Sequence, residues 1–255
     1  MKKRSKTQIL YSFSGVVCML AFWLLMYLVV KNDYVIPSPF EVLKSAIVLL
    51  FDGELYSSLL STFLRVIIAV ALSLTVSTVL AFLSAFVKGF CDFLTPIIAV
   101  LRSLPILAVL LIILVWVDGV LKDRAVAPII VCLLTLIPLS YSQIYDDLSG
   151  LTSGLGDVLK VYNVAKKKQI PLFLKGIIPT LIKVCFETLS FGLKLVVSGE
   201  ILASVYQSIG GDIYQASIYS NVVLLTALTL LICVLGIAFE ILGKIISQKI
   251  KGKYL

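Results

Sequence analysis

The sequence contains no histidine, and charged residues make up only 14% of its 255 positions. Without histidine the chain has no imidazole to act as a general base near neutral pH. The five cysteines, Cys18, Cys91, Cys132, Cys185 and Cys233, form no CxxC pair, and each lies in or beside an apolar run. No zinc or haem site is therefore expected, and the thiols read as small packing residues. There is no GxxxxGK[ST] phosphate loop, so the chain itself is not expected to bind ATP in that way. Neither GxSxG nor HExxH occurs. The aspartates sit at the edges of apolar runs and in loops. Asp146 and Asp147 are neighbours at the end of one run, and adjacent helical residues do not share a face. No catalytic residues, no cofactor and no metal are expected. Long polar segments are also missing, so there is no room for a soluble domain. No internal repeat is visible, which leaves the inverted-repeat design of many secondary transporters unsupported.

What is present is apolar. Hydrophobic residues make up 60% of the chain, and a soluble domain would carry about 25% charged residues, well above the fraction here. The composition predicts a polytopic, all-α integral membrane protein of one domain. A helix needs about 20 apolar residues to cross the hydrocarbon. Six runs qualify, at about 9–30, 57–87, 93–117, 125–145, 177–203 and 222–243. The first is too long for a signal-peptide core and no small-residue cleavage site follows it, so it reads as a retained helix. Pro105 breaks the third run, and Pro128 and Pro138 lie in the fourth. Residues 40–50, after Pro37 and Pro39, read as a short helix lying at the surface.

Lysine and arginine set the orientation. With the N-terminus inside and six spans, inside segments hold Lys2, Lys3, Arg4, Lys6, Lys88, Lys160, Lys166, Lys167, Lys168, Lys175, Lys244, Lys249, Lys251 and Lys253. Outside segments hold only Lys31, Lys44, Lys122 and Arg124. This asymmetry predicts that both termini are cytoplasmic. The net charge of +8 is explained by these membrane edges and requires no nucleic acid.

The one long polar stretch, 154–179, falls on the same inner side. Val158, Val161, Tyr162 and Ala165 fall on one helical face. Lys166, Lys167 and Lys168 follow, and Pro171 suits the first turn of a second short helix. Two short helices under a membrane domain would make a docking platform for a soluble partner. The competing reading is a basic loop that touches anionic lipid.

Charges within the runs are expensive against lipid, roughly 2.5–3.5 kcal/mol each at a helix centre, so they should face protein or water. Lys183, Glu187, Ser190 and Lys194 recur at i, i+4, i+7 and i+11 on one face of the fifth run. That stripe predicts a polar translocation path; the alternative is an internal Lys183–Glu187 pair with lysines snorkelling to an interface. Lys194 has no acid three or four residues away, so its free charge is expected to draw an anion. Glu200 lies near the outer end of the same run and reads as either structural or part of the path; it is counted here with the path. Arg65 and Arg102 read as structural, tying helix ends through carbonyls or a carboxylate.

The order of several short pieces resembles the permease subunits of ABC-type importers, in the branch serving nitrate, sulfonates, taurine and some vitamin precursors. The pieces are Ile36-Pro-Ser-Pro39 with Phe40-Glu-Val-Leu43, Asp52-Gly-Glu-Leu55, Ser61-Thr-Phe-Leu-Arg65, Leu101-Arg-Ser-Leu-Pro105 with Ala108, Ser198-Gly-Glu200 and Ile209-Gly-Gly211. The resemblance covers nearly the whole chain. It implies a type I importer permease fold, two cytoplasmic ATP-binding subunits, an extracytoplasmic solute-binding protein or lipoprotein, and a second copy of the chain in a homodimer. The partner outside would meet the surfaces 36–55 and 205–221. Coupling to the ATPase would run through 154–176, a loop that in such permeases carries EAAxxxG and a Leu-Pro thirteen residues on. Ile178-Pro179 matches the close of that pattern, while Lys160-Val161-Tyr162 stands at the EAA positions and Lys166 at the glycine. The implied solute is a small anion such as a sulfonate or nitrate, or a vitamin precursor. An ion-coupled secondary carrier or channel working without an ATPase is the rival from another class; a membrane-embedded enzyme or assembly factor lacks a catalytic constellation.

Overall fold

A computed structural model describes residues 6–254. The described residues form ten α-helices and no strand: α1 (Lys6–Val30), α2 (Pro39–Leu49), α3 (Gly53–Phe86), α4 (Phe90–Ser103), α5 (Ile106–Val120), α6 (Ala127–Val161), α7 (Lys166–Gly176), α8 (Ile178–Ala203), α9 (Ile209–Ile218) and α10 (Val222–Tyr254). Lys2, Lys3 and Arg4 lie outside the described residues, as do the side chains of Lys6, Lys160, Lys166, Lys167, Lys251 and Lys253.

Local chemistry places the boundaries. Pro39 opens α2 at its first turn, where a missing N–H costs nothing. The Asp52 side chain accepts from Glu54 N at 3.0 Å and caps α3. Gly89, at φ 77°, makes the tight reversal between α3 and α4. Pro105 denies the third run a continuous helix, and α4 and α5 meet there at 92°.

Among the described residues, three helices are long and apolar enough to cross a membrane, within 53–86, 124–155 and 222–250, or four if the bent α4–α5 pair counts as one span. The fully described apolar part of α1, Ser14–Val30, is shorter. Helix α8 has the length but carries Lys183, Glu187, Lys194 and Glu200. Its composition therefore differs from that of a lipid-facing helix, and its position explains why.

Helix α8 is the central element. It packs against α3, α6, α9 and α10, and Val184, Leu193, Val196 and Val197 are buried. Small residues let neighbours approach closely. Gly192 lies over Val70, Leu136 and Cys132, and a Cβ at Gly199 would press on Pro128. Helix α3 presents Ser58, Thr62, Ala69, Ser73, Ser77, Ala81 and Ser84 as its buried face. There, Ser77 donates to Ile137 O at 2.9 Å, and the Ser84 and Tyr141 hydroxyls meet at 2.9 Å.

The polar stretch departs from expectation in two ways. Its first half is the end of α6, continuous from Ala127, rather than a separate short helix. Leu148 and Leu159 keep the apolar face of α6 buried through this region, and the chain turns only at Asn163, in the left-handed region at φ 49°. In the second half, α7 starts at Lys166, so Pro171 lies inside the helix and not in its first turn. The earlier start is closed by Lys168 N donating to Ala165 O and Gln169 Nε2 donating to Val164 O.

Candidate functional site

At one end of α8 its charge forms a closed knot with α3 and α9. Arg65 Nη1 lies 2.7 Å from Glu200 Oε1. Thr62 Oγ1 donates to Glu200 Oε2 at 2.9 Å and accepts from Ile209 N at 3.1 Å. Gly210 N donates to Glu200 Oε2 at 3.2 Å, and Ser61 Oγ donates to Gln207 O. A Cβ at Gly210 would overlap Glu200, so only glycine brings this amide to the carboxylate. The knot ties α3, α8 and the first turn of α9. Arg65 thus joins α3 to α8 through the Glu200 carboxylate. Glu200 was expected to line a path. It is 0% accessible, its oxygens are occupied, and it borders none of the cavities described below. The close packing of Gly210 and Thr62 over the carboxylate is the reason.

Farther along α8 the charges are open. The accessible stripe of α8 runs through Lys183, Glu187, Phe191, Lys194 and Ser198. Lys183 Nζ lies 3.8 Å from Glu187 Oε1. Lys194, expected to be unpaired, lies 3.9 Å from Glu240 Oε1 on α10. Ser190 Oγ donates to the same oxygen at 3.1 Å, and Gly236 gives Lys194 and Ser190 room to reach α10. The correction comes from another helix: Glu240 is far away in sequence, and no spacing rule within α8 reveals it. The four-residue stripe is also divided. Ser190 is buried toward α10, while Glu187 turns toward α4 and α6.

Glu187 borders a cavity of about 440 Å³ at the α4–α5 break. Its polar lining is Arg102, Thr135, Gln143 and Glu187; leucine, isoleucine, valine, proline and Phe191 form the rest. No side chain caps the start of α5. Irregular backbone at membrane depth is tolerated where it is buried in protein or borders water, and this break borders the cavity. Arg102 was expected to tie helix ends. Among the described residues it makes no ion pair or side-chain hydrogen bond, and it is exposed at the cavity wall. Thr135 and Gln143 were not singled out by sequence. They lie eight residues apart on α6, a spacing that puts them near one face, but only the fold shows which helix they meet.

At the other end of α8 lies a second cavity, of about 770 Å³, between the end of α6, α7, the start of α8 and Ser247 of α10. Thr180 Oγ1 donates to Asp147, and Ser247 Oγ donates to Pro179 O at 3.0 Å. Pro179 therefore joins α8 to α10. Lys175, Lys183, Asp146 and Asp147 all line this space. Beside it, Val161 and Tyr162 are 81% and 76% accessible, and Val158 and Ala165 are exposed with them. Leu159 and Phe173, by contrast, are buried against the protein's own core. The end of α6 thus anchors by one face and leaves an apolar patch unpartnered on the other. The Lys166 side chain lies outside the described residues.

Residues 77–252 match the family model described as "Binding-protein-dependent transport system inner membrane component". The match spans most of the chain, from within α3 through α10. No curated protein matches the chain.

Proposed function

The chain belongs to the family of binding-protein-dependent transport system inner membrane components, a family of ABC transporter permeases, and from that premise we propose that it forms the translocation path of an importer driven by separate ATPase subunits. In this reading α1, α3, the α4–α5 pair, α6, α8 and α10 are six spans in the plasma membrane, with both termini cytoplasmic. The family match carries the reading, because it covers α6, α7 and α8, the elements that link the inner surface to the central helix. The charges of α8 support a path and a two-fold dimer. An accessible stripe bearing Lys183, Glu187 and Lys194 is costly against lipid; water in a passage, or a second copy of the chain, removes that cost. The solute class carried over from the resemblance is a small anion or a vitamin precursor.

Coupling would use the patch at the end of α6. Exposed Val158, Val161, Tyr162 and Ala165 fit the apolar groove of a partner, and Tyr162 is the natural anchor because aromatic residues dominate such contacts. Lys166 and Pro179 complete the coupling segment by sequence position. An extracytoplasmic solute-binding protein or lipoprotein would meet α2 and α9. The test is uptake into proteoliposomes holding the chain, its ATPase subunits and its binding protein. Tyr162→Ala is expected to lower solute-stimulated ATP hydrolysis at least tenfold, the effect of losing a contact of about 1.4 kcal/mol or more, with membrane insertion unchanged. Uptake by the chain alone, without any ATPase, would establish the secondary-carrier reading instead.

A further inference from the structure

We propose that the cavity at the α4–α5 break is a solute site in which Arg102 holds the anionic group of an organic anion. The inference rests on the permease reading and adds a location, a residue and a ligand chemistry.

Depth is the first argument. The α6 residues lining the cavity run from Val131 to Gln143, so they begin about 6 Å and end about 24 Å from the start of that helix, at 1.5 Å per residue. Glu187 and Phe191 are about 14–20 Å from the start of α8 on the same scale. The cavity therefore lies in the middle of the membrane domain and not at its rim.

Charge is the second. Three cations lie along the open part of α8 and its neighbours. Lys183 is matched by Glu187 and Lys194 by Glu240. Arg102 has no ion pair among the described residues, and it lies on the cavity wall. The cavity wall itself carries one charge of each sign, Arg102 and Glu187; Glu187 already has Lys183 at 3.8 Å, so the unmatched charge is Arg102, the side chain best shaped to grip a carboxylate, sulfonate or phosphate with two N–H groups. This moves the anion-selecting role from Lys194 to Arg102.

Shape is the third. A volume of about 440 Å³ falls within the roughly 300–1,000 Å³ of small-molecule sites, whose walls are mostly apolar with a few placed polar groups. Leu101, Leu104, Ile106, Val131 and Phe191 supply such walls. A small inorganic anion would leave them wetted to no advantage, whereas an organic body covers them. Thr135 and Gln143 offer hydrogen bonds to that body.

The test uses the full complex in membrane vesicles, with Thr135→Cys introduced after replacement of the five native cysteines. Two water-soluble methanethiosulfonates label the thiol, one carrying a sulfonate and the other a trimethylammonium. Arg102→Gln is expected to shift the ratio of their rates roughly tenfold toward the cation, the low end of what a focused charge does to local ion concentration; Arg102→Lys restores most of it. Pentanoate should slow labelling, while pentan-1-ol and pentylammonium should not. Gln143→Cys repeats the measurement on the same wall and guards against a local steric effect. A ratio that ignores Arg102→Gln at both positions overturns the proposal, as does failure of both reagents to reach either position. The labelling needs no ATP. ATP-driven uptake with a ratio insensitive to Arg102 would therefore remove this site and leave the importer reading intact, and the reverse result would remove the importer reading alone.

Discussion

Arg65–Glu200 and Lys194–Glu240 both join α8 to a neighbour, and they differ in what surrounds them. The first is 16% and 0% accessible and has 2.7 Å geometry. Thr62 and Gly210 take up the second carboxylate oxygen. The second is 47% and 42% accessible at 3.9 Å. In the closed knot both carboxylate oxygens have donors and water is excluded, so a missing partner leaves a buried charge uncompensated. In an open pair the charges keep access to water or solute, and their mutual attraction is weak. The same residue types thus serve as a structural tie at one level of α8 and as accessible polar groups at another.

The sharpest way to break this comparison is to remove one member of the knot. Glu200→Ala is expected to destabilise the chain by about 3–5 kcal/mol, because Arg65 loses its buried counter-charge. Thermal unfolding in detergent measures this. Glu200→Gln should fall between the two, since an amide retains hydrogen bonding toward Thr62. An Arg65→Met and Glu200→Leu double variant should be more stable than either single charge deletion. A loss under about 1 kcal/mol in Glu200→Ala would show that the knot is no tighter than the open pair.

A smaller effect is expected at the open pair. A double-mutant cycle on Lys194→Gln and Glu240→Gln should give a coupling energy of about 1 kcal/mol or less. Stability should stay near that of the parent in both single variants. A coupling energy above about 2 kcal/mol would place this pair with the buried one.

The smallest expected effect lies outside the membrane spans, in α9. Burial raises the Asp212 carboxyl above its ordinary 3.8, and Glu54 and Asp52 add to the rise, while the Ser58 hydroxyl opposes it. A carboxyl raised in the folded state favours folding while protonated, so its contribution is present below the unfolded value and is lost as pH climbs through the folded one. Asp212→Asn should therefore flatten the pH dependence of stability as pH rises above 3.8. An unchanged profile would show that Asp212 is solvated like any surface acid.

Several parts of the fold were legible in the chain. Pro105 breaks the third run because proline has no N–H to donate and crowds the preceding residue. Residues 40–50 form a short helix behind Pro39, with boundaries within a residue of expectation. The run 154–162 misled because its polar composition suggested a separate element, whereas Leu148 and Leu159 hold it to the core as the end of α6. Lys194 misled for a different reason. Its partner is on α10, and spacing within one helix carries no information about a neighbouring helix.

Composition and periodicity alone decided that this is an all-helical membrane chain with α8 carrying its charge, because transfer from water to hydrocarbon is a property of each residue and sums along the chain. They also marked Arg65 and Arg102 as charges that needed a partner or water. Which of the two found one was decided only by the tertiary structure. Ion pairing depends on a few ångströms between side chains distant in sequence: packing of α3, α8 and α9 brought Arg65 to Glu200, and the bend at Pro105 turned Arg102 toward an open cavity.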